Sequence, residues 1–160
     1  MSLPAVPPAS RAVRAARGAC CIGLDLLVLC ATSFAFAGVL TSLLSAERLG
    51  WMWPLIAYDY TRVDVVVHAV LASVVVMPAL LLMGRLARVQ ASPRLQAACF
   101  ALATLVVIRL GPPDAQVFGT TWTQGEITVG LFLLQWPIIV PLTAVAVPVR
   151  DLLRRLSGLG

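Results

Sequence analysis

The chain has 160 residues, of which 60% are hydrophobic and only 12% are charged. Since the helices of a soluble domain of this size need polar faces, this composition excludes an ordinary soluble protein. The formal net charge of +5 comes from arginine alone, and the arginines border apolar stretches, where basic residues anchor helices at lipid head groups rather than bind nucleic acid.

The first predicted helix spans residues 20–45 and crosses the membrane, since it exceeds the ~20 residues needed for a ~30 Å hydrocarbon core. Residues 1–18 precede it as a disordered basic lead-in with prolines at positions 4, 7 and 8. A basic segment before an apolar run also resembles a signal peptide. Here the apolar run continues past a cleavage-like sequence at 35–37 to Leu44, so we expect an uncleaved helix.

The second and third predicted helices span residues 65–84 and 95–111. The second contains no formal charge, and Pro78 predicts a kink that membrane helices tolerate when neighbouring groups satisfy the freed carbonyl. Arg94, which directly precedes the third helix, and Arg109 within it are 15 residues apart, which is about 22 Å of helix. Arg109 therefore falls short of the outer boundary of a ~30 Å core. We expect it either to snorkel outward or to pair with an acid of another helix.

The fourth predicted helix spans residues 127–149 and contains three prolines. Proline cannot donate to the carbonyl four residues earlier, so a bend is predicted between Gln135 and Pro141. A short amphipathic basic segment begins at Arg150, and residues 156–160 form a tail.

The arginine clusters predict the topology. They lie at 11–17, 85–94 and 150–155, and six of the seven acids fall between them. Short loops rich in arginine stay cytoplasmic, which places both termini and the middle loop inside. We therefore predict an all-α integral membrane protein in which residues 19–155 form a four-transmembrane-helix bundle with N-in/C-in topology. Arginine without lysine indicates a GC-rich genome and hence a bacterial cytoplasmic (inner) membrane.

The two loops predicted to lie outside are aromatic and apolar, unlike ordinary solvated loops. Because aromatic side chains are enriched at the level of the lipid head groups, we expect these loops to form an outer interfacial belt. The second loop, residues 111–125, is also a candidate for partial re-entry into the membrane. The interfacial candidates are Trp51, Trp53, Tyr58, Tyr60 and Trp122.

Small residues recur every four positions along the first helix, a spacing that lets helix backbones approach closely. Two interpretations remain open, which are packing within the four-helix bundle and docking onto another membrane subunit. The residues are Ser33, Ala37, Thr41 and Ser45, the neighbouring pair Gly38 and Ser42, and the pair Ala97 and Ala101 on the third helix.

Five polar residues form a candidate cluster toward the outer ends of the helices. Two of them, Asp64 and His68, are four residues apart and share one helix face, so the carboxylate is placed to hold the imidazole for a proton relay or a pH-sensitive contact. The alternative is structural, with the acids favoured by helix dipoles at the boundary and the arginine acting as an anchor. The cluster comprises Asp64, His68, Arg109, Glu126 and Gln135, with Gln135 expected about 13 Å deeper than Glu126.

Asp25 lies inside the first predicted helix, where a lone carboxylate needs a partner. We expect it to pair with Arg88 or Arg94 of the inside loop, and the alternative is a carrier of a proton or cation. Beyond the pair Asp64 and His68, no His, Cys and acidic residues have the spacing of metal ligands, and no cofactor is predicted. Haem or pigment ligation by His68 together with a partner subunit is the alternative.

The sequence contains no catalytic motif, so no enzymatic activity is predicted. The leading interpretation is a small non-catalytic membrane subunit of a larger complex, either a transporter or an energy-converting or electron-transfer assembly. The first alternative is an autonomous transporter or proton-linked permease that uses the polar cluster, and the second is an enzyme acting on lipid or quinone at the outer leaflet. The expected partners are the lipid bilayer and either other membrane subunits or further copies of this chain.

Overall fold

The computed structural model describes residues 11–53, 62–111 and 123–159, and within these ranges every regular element is helical. Four segments are long and apolar enough to cross a membrane, so the prediction of an all-helical chain with four such segments is confirmed. The elements are α1 (Arg11–Ala46), α2 (Arg62–Gly84), α3 (Ala87–Gln90), α4 (Pro93–Leu110), α5 (Gln124–Ile127), a π-helical turn (Thr128–Phe132), a 3₁₀ turn (Leu133–Gln135) and α6 (Trp136–Leu156).

Helix α1 begins at Arg11, nine residues before its predicted start, and so includes residues 11–18 that were expected to be disordered. Alanine and arginine, which dominate this stretch, are among the best helix formers, and the prolines of the lead-in all precede it. At 36 residues the helix is about 54 Å long, longer than a ~30 Å hydrocarbon core. The helix is therefore longer than is needed to cross such a core.

The helices pack with α1 and α4 at the centre, because each of these two contacts the other three long helices. Helices α2 and α6 flank this central pair. One core cluster joins Leu29 of α1, Val76 of α2 and Phe100 of α4. A second cluster, toward the other end of the bundle, joins Phe36 and Leu40 of α1 to Ile138 of α6.

The start of the fourth membrane segment is irregular, since a π-helical turn and a 3₁₀ turn precede α6. The sequence predicts a bend between Gln135 and Pro141, and the irregularity lies mostly before it. In a continuous α-helix the ring of Pro137 would clash with the carbonyl of Leu133 and would offer it no N–H. Pro137 therefore disfavours α-helix in the turn that precedes it. Beyond this point α6 continues past the predicted end at residue 149 to Leu156.

The two ends of the bundle differ in chemistry. The first turns of α1, the α2–α4 connection and the last turns of α6 lie together at one end, which we call the arginine end. At that end Ser92 caps α4 by accepting a hydrogen bond from the backbone N–H of Leu95, with Pro93 next in the chain. The opposite end, which carries Trp51, Trp53 and α5, is called the aromatic end.

Candidate functional site

The most buried charged group at the arginine end is Asp25 of α1, which is 5% exposed. Its Oδ1 accepts a hydrogen bond from Arg150 Nε at 2.9 Å, and its Oδ2 accepts one from Arg154 Nη2 at 2.7 Å. Both arginines belong to α6 and are four residues apart, so they lie on one helix face. One carboxylate therefore holds two guanidinium groups, and we call these three residues the Asp25 triad.

The partners of Asp25 differ from those predicted. Arg88 and Arg94 are exposed, whereas Arg150 was assigned to a surface segment and is 6% exposed. The reason is that α6 extends two turns further than predicted and runs alongside α1. Its basic last turns therefore face the bundle interior at the level of Asp25.

Arg150 also contacts the third membrane segment. Its guanidinium carbon lies 4.5 Å from the centroid of the Phe100 ring, a cation–π geometry that gains strength away from water. Arg150 Nη1 lies 3.6 Å from an oxygen of Asp151, which is half exposed. Through Asp25, Arg150 and Phe100, the arginine end joins α1, α6 and α4.

A pocket of about 320 Å³ opens beside the Asp25 triad. Three arginines and one aspartate among its lining residues give it a net charge of +2 when all are ionised. Arg154 Nε is buried and, among the described residues, has no hydrogen-bond partner. The pocket thus combines excess positive charge with an unsatisfied donor. It is lined by Asp25, Leu80, Leu81, Gly84, Arg85, Gln96, Cys99, Arg150 and Arg154.

At the aromatic end, His68 binds within its own helix. The distance between His68 Nδ1 and the backbone carbonyl oxygen of Asp64 is 2.7 Å. Because a carbonyl only accepts, Nδ1 is the protonated nitrogen in this bond. The prediction had the Asp64 carboxylate holding the ring, and this bond instead uses the main chain one turn away.

Arg109 and Gln135 contact the irregular start of the fourth segment. Arg109 Nη2 donates to Thr128 Oγ1 at 2.7 Å, so its partner is a hydroxyl rather than the acid that was one of the two expectations for this residue. Gln135 Nε2 donates to the carbonyl of Gly130 at 3.2 Å. Gln135 lies three residues before Ile138, which shares a core cluster with Phe36 and Leu40, so Gln135 lies toward the aromatic end.

Glu126 forms a capping box with Thr123. Its Oε2 accepts hydrogen bonds from the Thr123 backbone N–H at 2.7 Å and the Thr123 hydroxyl at 2.9 Å, while the Glu126 N–H donates to that hydroxyl oxygen. This is the reciprocal arrangement of a Thr-x-x-Glu helix start. The backbone N–H of Thr123, with its hydroxyl, holds the pKa of Glu126 below its ordinary value.

A second cleft, of about 610 Å³, lies at this helix start. It lies along the capping box and the π-helical turn, where the backbone hydrogen bonds depart from the regular α-helical pattern. Its described lining residues are Thr123, Gly125, Glu126, Val129 and Gly130.

The small residues of α1 are engaged within the chain. Ser33, Ala37 and Thr41 are buried, and a Cβ built on Gly111 would contact the Ser33 side chain, so α4 ends directly against Ser33. The Thr41 hydroxyl donates to the carbonyl of Ala37 at 2.8 Å. On α4, Ala97 and Ala101 are half-buried, and the side chain of Ser45 lies outside the described residues.

The segment after α1 turns back along that helix. Glu47 ends the helix with a φ of 49°, and the hydroxyl of Ser42 donates to the carbonyl of Arg48 at 3.1 Å. Gly38 then allows the Trp51 indole to lie directly against the backbone, since a Cβ there would come within 2.7 Å of Trp51 Cδ1. The N–H of Met52 donates to the Gly38 carbonyl at 3.2 Å.

Trp51 and Trp53 form an aromatic cluster with Phe34. The ring centroids are 5.5 Å apart between the two tryptophans, and 6.0 and 5.7 Å from Phe34 to Trp51 and Trp53. Such tilted and edge-on arrangements are favourable. The other interfacial candidates, Tyr58, Tyr60 and Trp122, lie outside the described residues.

In residues 11–53, 62–111 and 123–159, no group of three His, Cys, Asp or Glu side chains is placed to hold a metal ion. Comparison with protein families, curated proteins and solved structures finds no match to this sequence.

Proposed function

We propose that this protein is a small non-catalytic subunit of a larger membrane complex, either a transporter or an energy-converting or electron-transfer assembly. Its role is to dock against a helix of another subunit and stabilise the assembly. We further propose that it resides in the bacterial cytoplasmic membrane with both termini inside. The positive-inside rule supports this orientation, because the arginine end collects the basic residues of all three clusters.

The observation that carries the proposal is the valine face of α2, an exposed surface that extends from Val63 to Val75. Valine in a helix is confined to essentially one χ1 rotamer, so packing it costs little side-chain entropy. Helix association in lipid depends on close van der Waals packing, which a rigid surface favours. The face comprises Val63, Val66, Val67, Val70, Val74 and Val75, which are 43–67% exposed.

The polar groups support a structural role. Glu126 caps a helix, Arg109 binds Thr128, and Asp25 neutralises arginines of α6. The small residues Ser33, Ala37, Gly38, Thr41 and Ser42 of α1 are buried inside the bundle, so the docking surface is assigned to α2 instead of α1.

Native mass spectrometry after gentle detergent extraction from the source membrane tests the proposal. The expected result is a reproducible species well above the 17.0 kDa of the chain that contains other polypeptides. Val74→Trp should remove those polypeptides, because the larger side chain prevents close approach at α2. Val106→Trp, which makes the same change at an exposed position of α4, is the control and should retain them.

Two results would contradict the subunit role. One is a lone monomer or homo-oligomer from the source membrane, and the other is equal loss of partners in Val74→Trp and Val106→Trp. Circular dichroism of each purified variant establishes that the helical bundle still forms.

A proton-linked permease is the second candidate, and the cleft at the irregular start of the fourth segment favours it. Broken helix ends that line a cavity are typical of transporter binding sites. In vesicles that contain the protein and a pH-sensitive dye, this function predicts proton flux that Glu126→Gln abolishes. Glutamine still completes a capping box but carries no titratable proton, so unchanged flux in that variant would exclude Glu126 from the pathway.

A further inference from the structure

We propose that the pocket beside the Asp25 triad binds the phosphate of an anionic lipid head group from the leaflet at the arginine end. The inference does not depend on the subunit role, since the pocket is formed within a single chain. It rests on the charge balance, the size and the position of the pocket.

The charge balance favours an anion. Arg150 and Arg154 share the single carboxylate of Asp25, and Arg85 also lines the pocket. Arg85 takes part in none of the ion pairs among the described residues. Excess positive charge at membrane depth is costly unless it is paired, and a phosphate supplies both the missing charge and several hydrogen-bond acceptors.

The unsatisfied donor is an independent observation. Arg154 Nε is buried without a hydrogen-bond partner, although its side chain is 23% exposed. An unpaired buried N–H is unfavourable. A small movement of this arginine toward a phosphate would satisfy the donor while Nη2 keeps its bond to Asp25.

The size of the pocket fits a head group better than a bare ion. A volume of about 320 Å³ is room for about ten water molecules at ~30 Å³ each. This is more than one phosphate needs, and it leaves space for the glycerol to which a lipid phosphate is bonded.

The position of the pocket favours a lipid over a soluble phosphate ester. Its lining includes Leu80 and Leu81 of the membrane-spanning α2, and Leu81, Gly84 and Arg85 are the exposed members of that lining. A bound molecule thus meets both apolar side chains and arginines. Basic pockets between membrane helices are a recurrent site for anionic head groups.

A titration in neutral detergent, read by native mass spectrometry, tests the proposal. Dioctanoyl phosphatidic acid is the probe, dioctanoyl phosphatidylcholine the zwitterionic comparison, and glycerol 3-phosphate the soluble ester. We expect one phosphatidic acid per chain, bound more tightly than either of the others. Arg85→Gln should weaken this binding about fivefold, the equivalent of ~1 kcal/mol per arginine at a lipid surface.

The matched control is Arg88→Gln, which removes the same charge from the same short connection but from a residue outside the pocket. Its binding should equal that of the unmodified protein. Arg85→Gln leaves the Asp25 triad in place, so both variants are expected to fold, which circular dichroism verifies.

Three results would overturn the proposal. Equal binding of phosphatidylcholine would remove the requirement for net anionic charge, and equal losses in Arg85→Gln and Arg88→Gln would reduce the effect to general surface charge. Equal binding of glycerol 3-phosphate, with the same dependence on Arg85, would replace the lipid with a soluble phosphate ester.

Discussion

The polar contacts at the two ends of the bundle join residues that differ greatly in their separation along the sequence. At the arginine end, Asp25 binds residues 125 and 129 positions away. At the aromatic end, Glu126 binds a residue three positions away and His68 binds one four positions away. The ion pairs of the arginine end therefore form only when the first and fourth membrane segments are both in place. The capping box and the His68 bond of the aromatic end each form within one short segment, although the apolar cluster at that end also joins α1 to α6.

This difference predicts different responses to disruption. Breaking a buried ion pair leaves an uncompensated charge in a medium of low polarity, which destabilises the whole structure. Breaking a local bond affects the segment that contains it, because such segments open independently of the rest. The free energy of unfolding, measured by titration with SDS in mixed micelles, separates the two cases.

The largest effect is expected for Asp25→Asn. Without the carboxylate, Arg150 and Arg154 remain close together without a counter-ion, and we expect a loss of about 3 kcal/mol in the free energy of unfolding. Asp151→Asn is the control, because this carboxylate also lies near Arg150 but is half exposed. A loss of less than about 1 kcal/mol is expected there. Equal losses would show that the arginine end does not depend on the Asp25 triad.

The next largest loss in the free energy of unfolding is expected when the contact between Gly38 and Trp51 is disrupted. The methyl of Gly38→Ala would overlap the indole, and displacement of the ring should cost about 2 kcal/mol. Gly23→Ala in the same helix has open space around its Cβ and should stabilise the protein by about 0.5 kcal/mol. Tryptophan fluorescence should shift only in the first variant. Equal spectra would mean that Trp51 does not lie against α1 in solution.

The hydrogen bond from Arg109 to Thr128 is expected to contribute less to the free energy of unfolding. Thr128→Val removes the hydroxyl acceptor, and we expect a loss of about 1 kcal/mol because the arginine is only half-buried. Thr143→Val makes the same change at a buried hydroxyl that, among the described residues, has no partner. That variant should be as stable as the original or slightly more stable. A larger loss at Thr143 than at Thr128 would contradict this ranking.

The parts of the fold that depend on nearby residues were the parts that the sequence could predict. The apolar length of each segment predicts the four spans. The capping box was not among the predictions, although the pattern Thr123-x-x-Glu126 is a known signature of a helix start. The Asp25 pairing was not predictable, since several arginines are available at that end and only the packing of α6 on α1 selects between them. The predicted helix end at residue 149 was too early, since α6 continues for two further turns that contain the arginines of the buried Asp25 triad.

The aromatic end offers the most sensitive test of local stabilisation, through the pH dependence of the capping box. The pKa of Glu126 is lowered in the folded protein by the N–H and hydroxyl of Thr123. A folded-state pKa below the unfolded value means that the stabilisation is present above the ordinary pKa of glutamate and is lost as the pH falls through the lower folded value. We therefore expect Glu126→Ala to be less stable than the original protein at neutral pH, by the smallest margin of the series. At about pH 3, below the ordinary pKa, that margin should shrink, because protonation weakens the same bonds in the original protein. A margin that stays constant over this range would show that the carboxylate charge does not stabilise the helix start, and the aromatic end would then depend on contacts beyond its local ones.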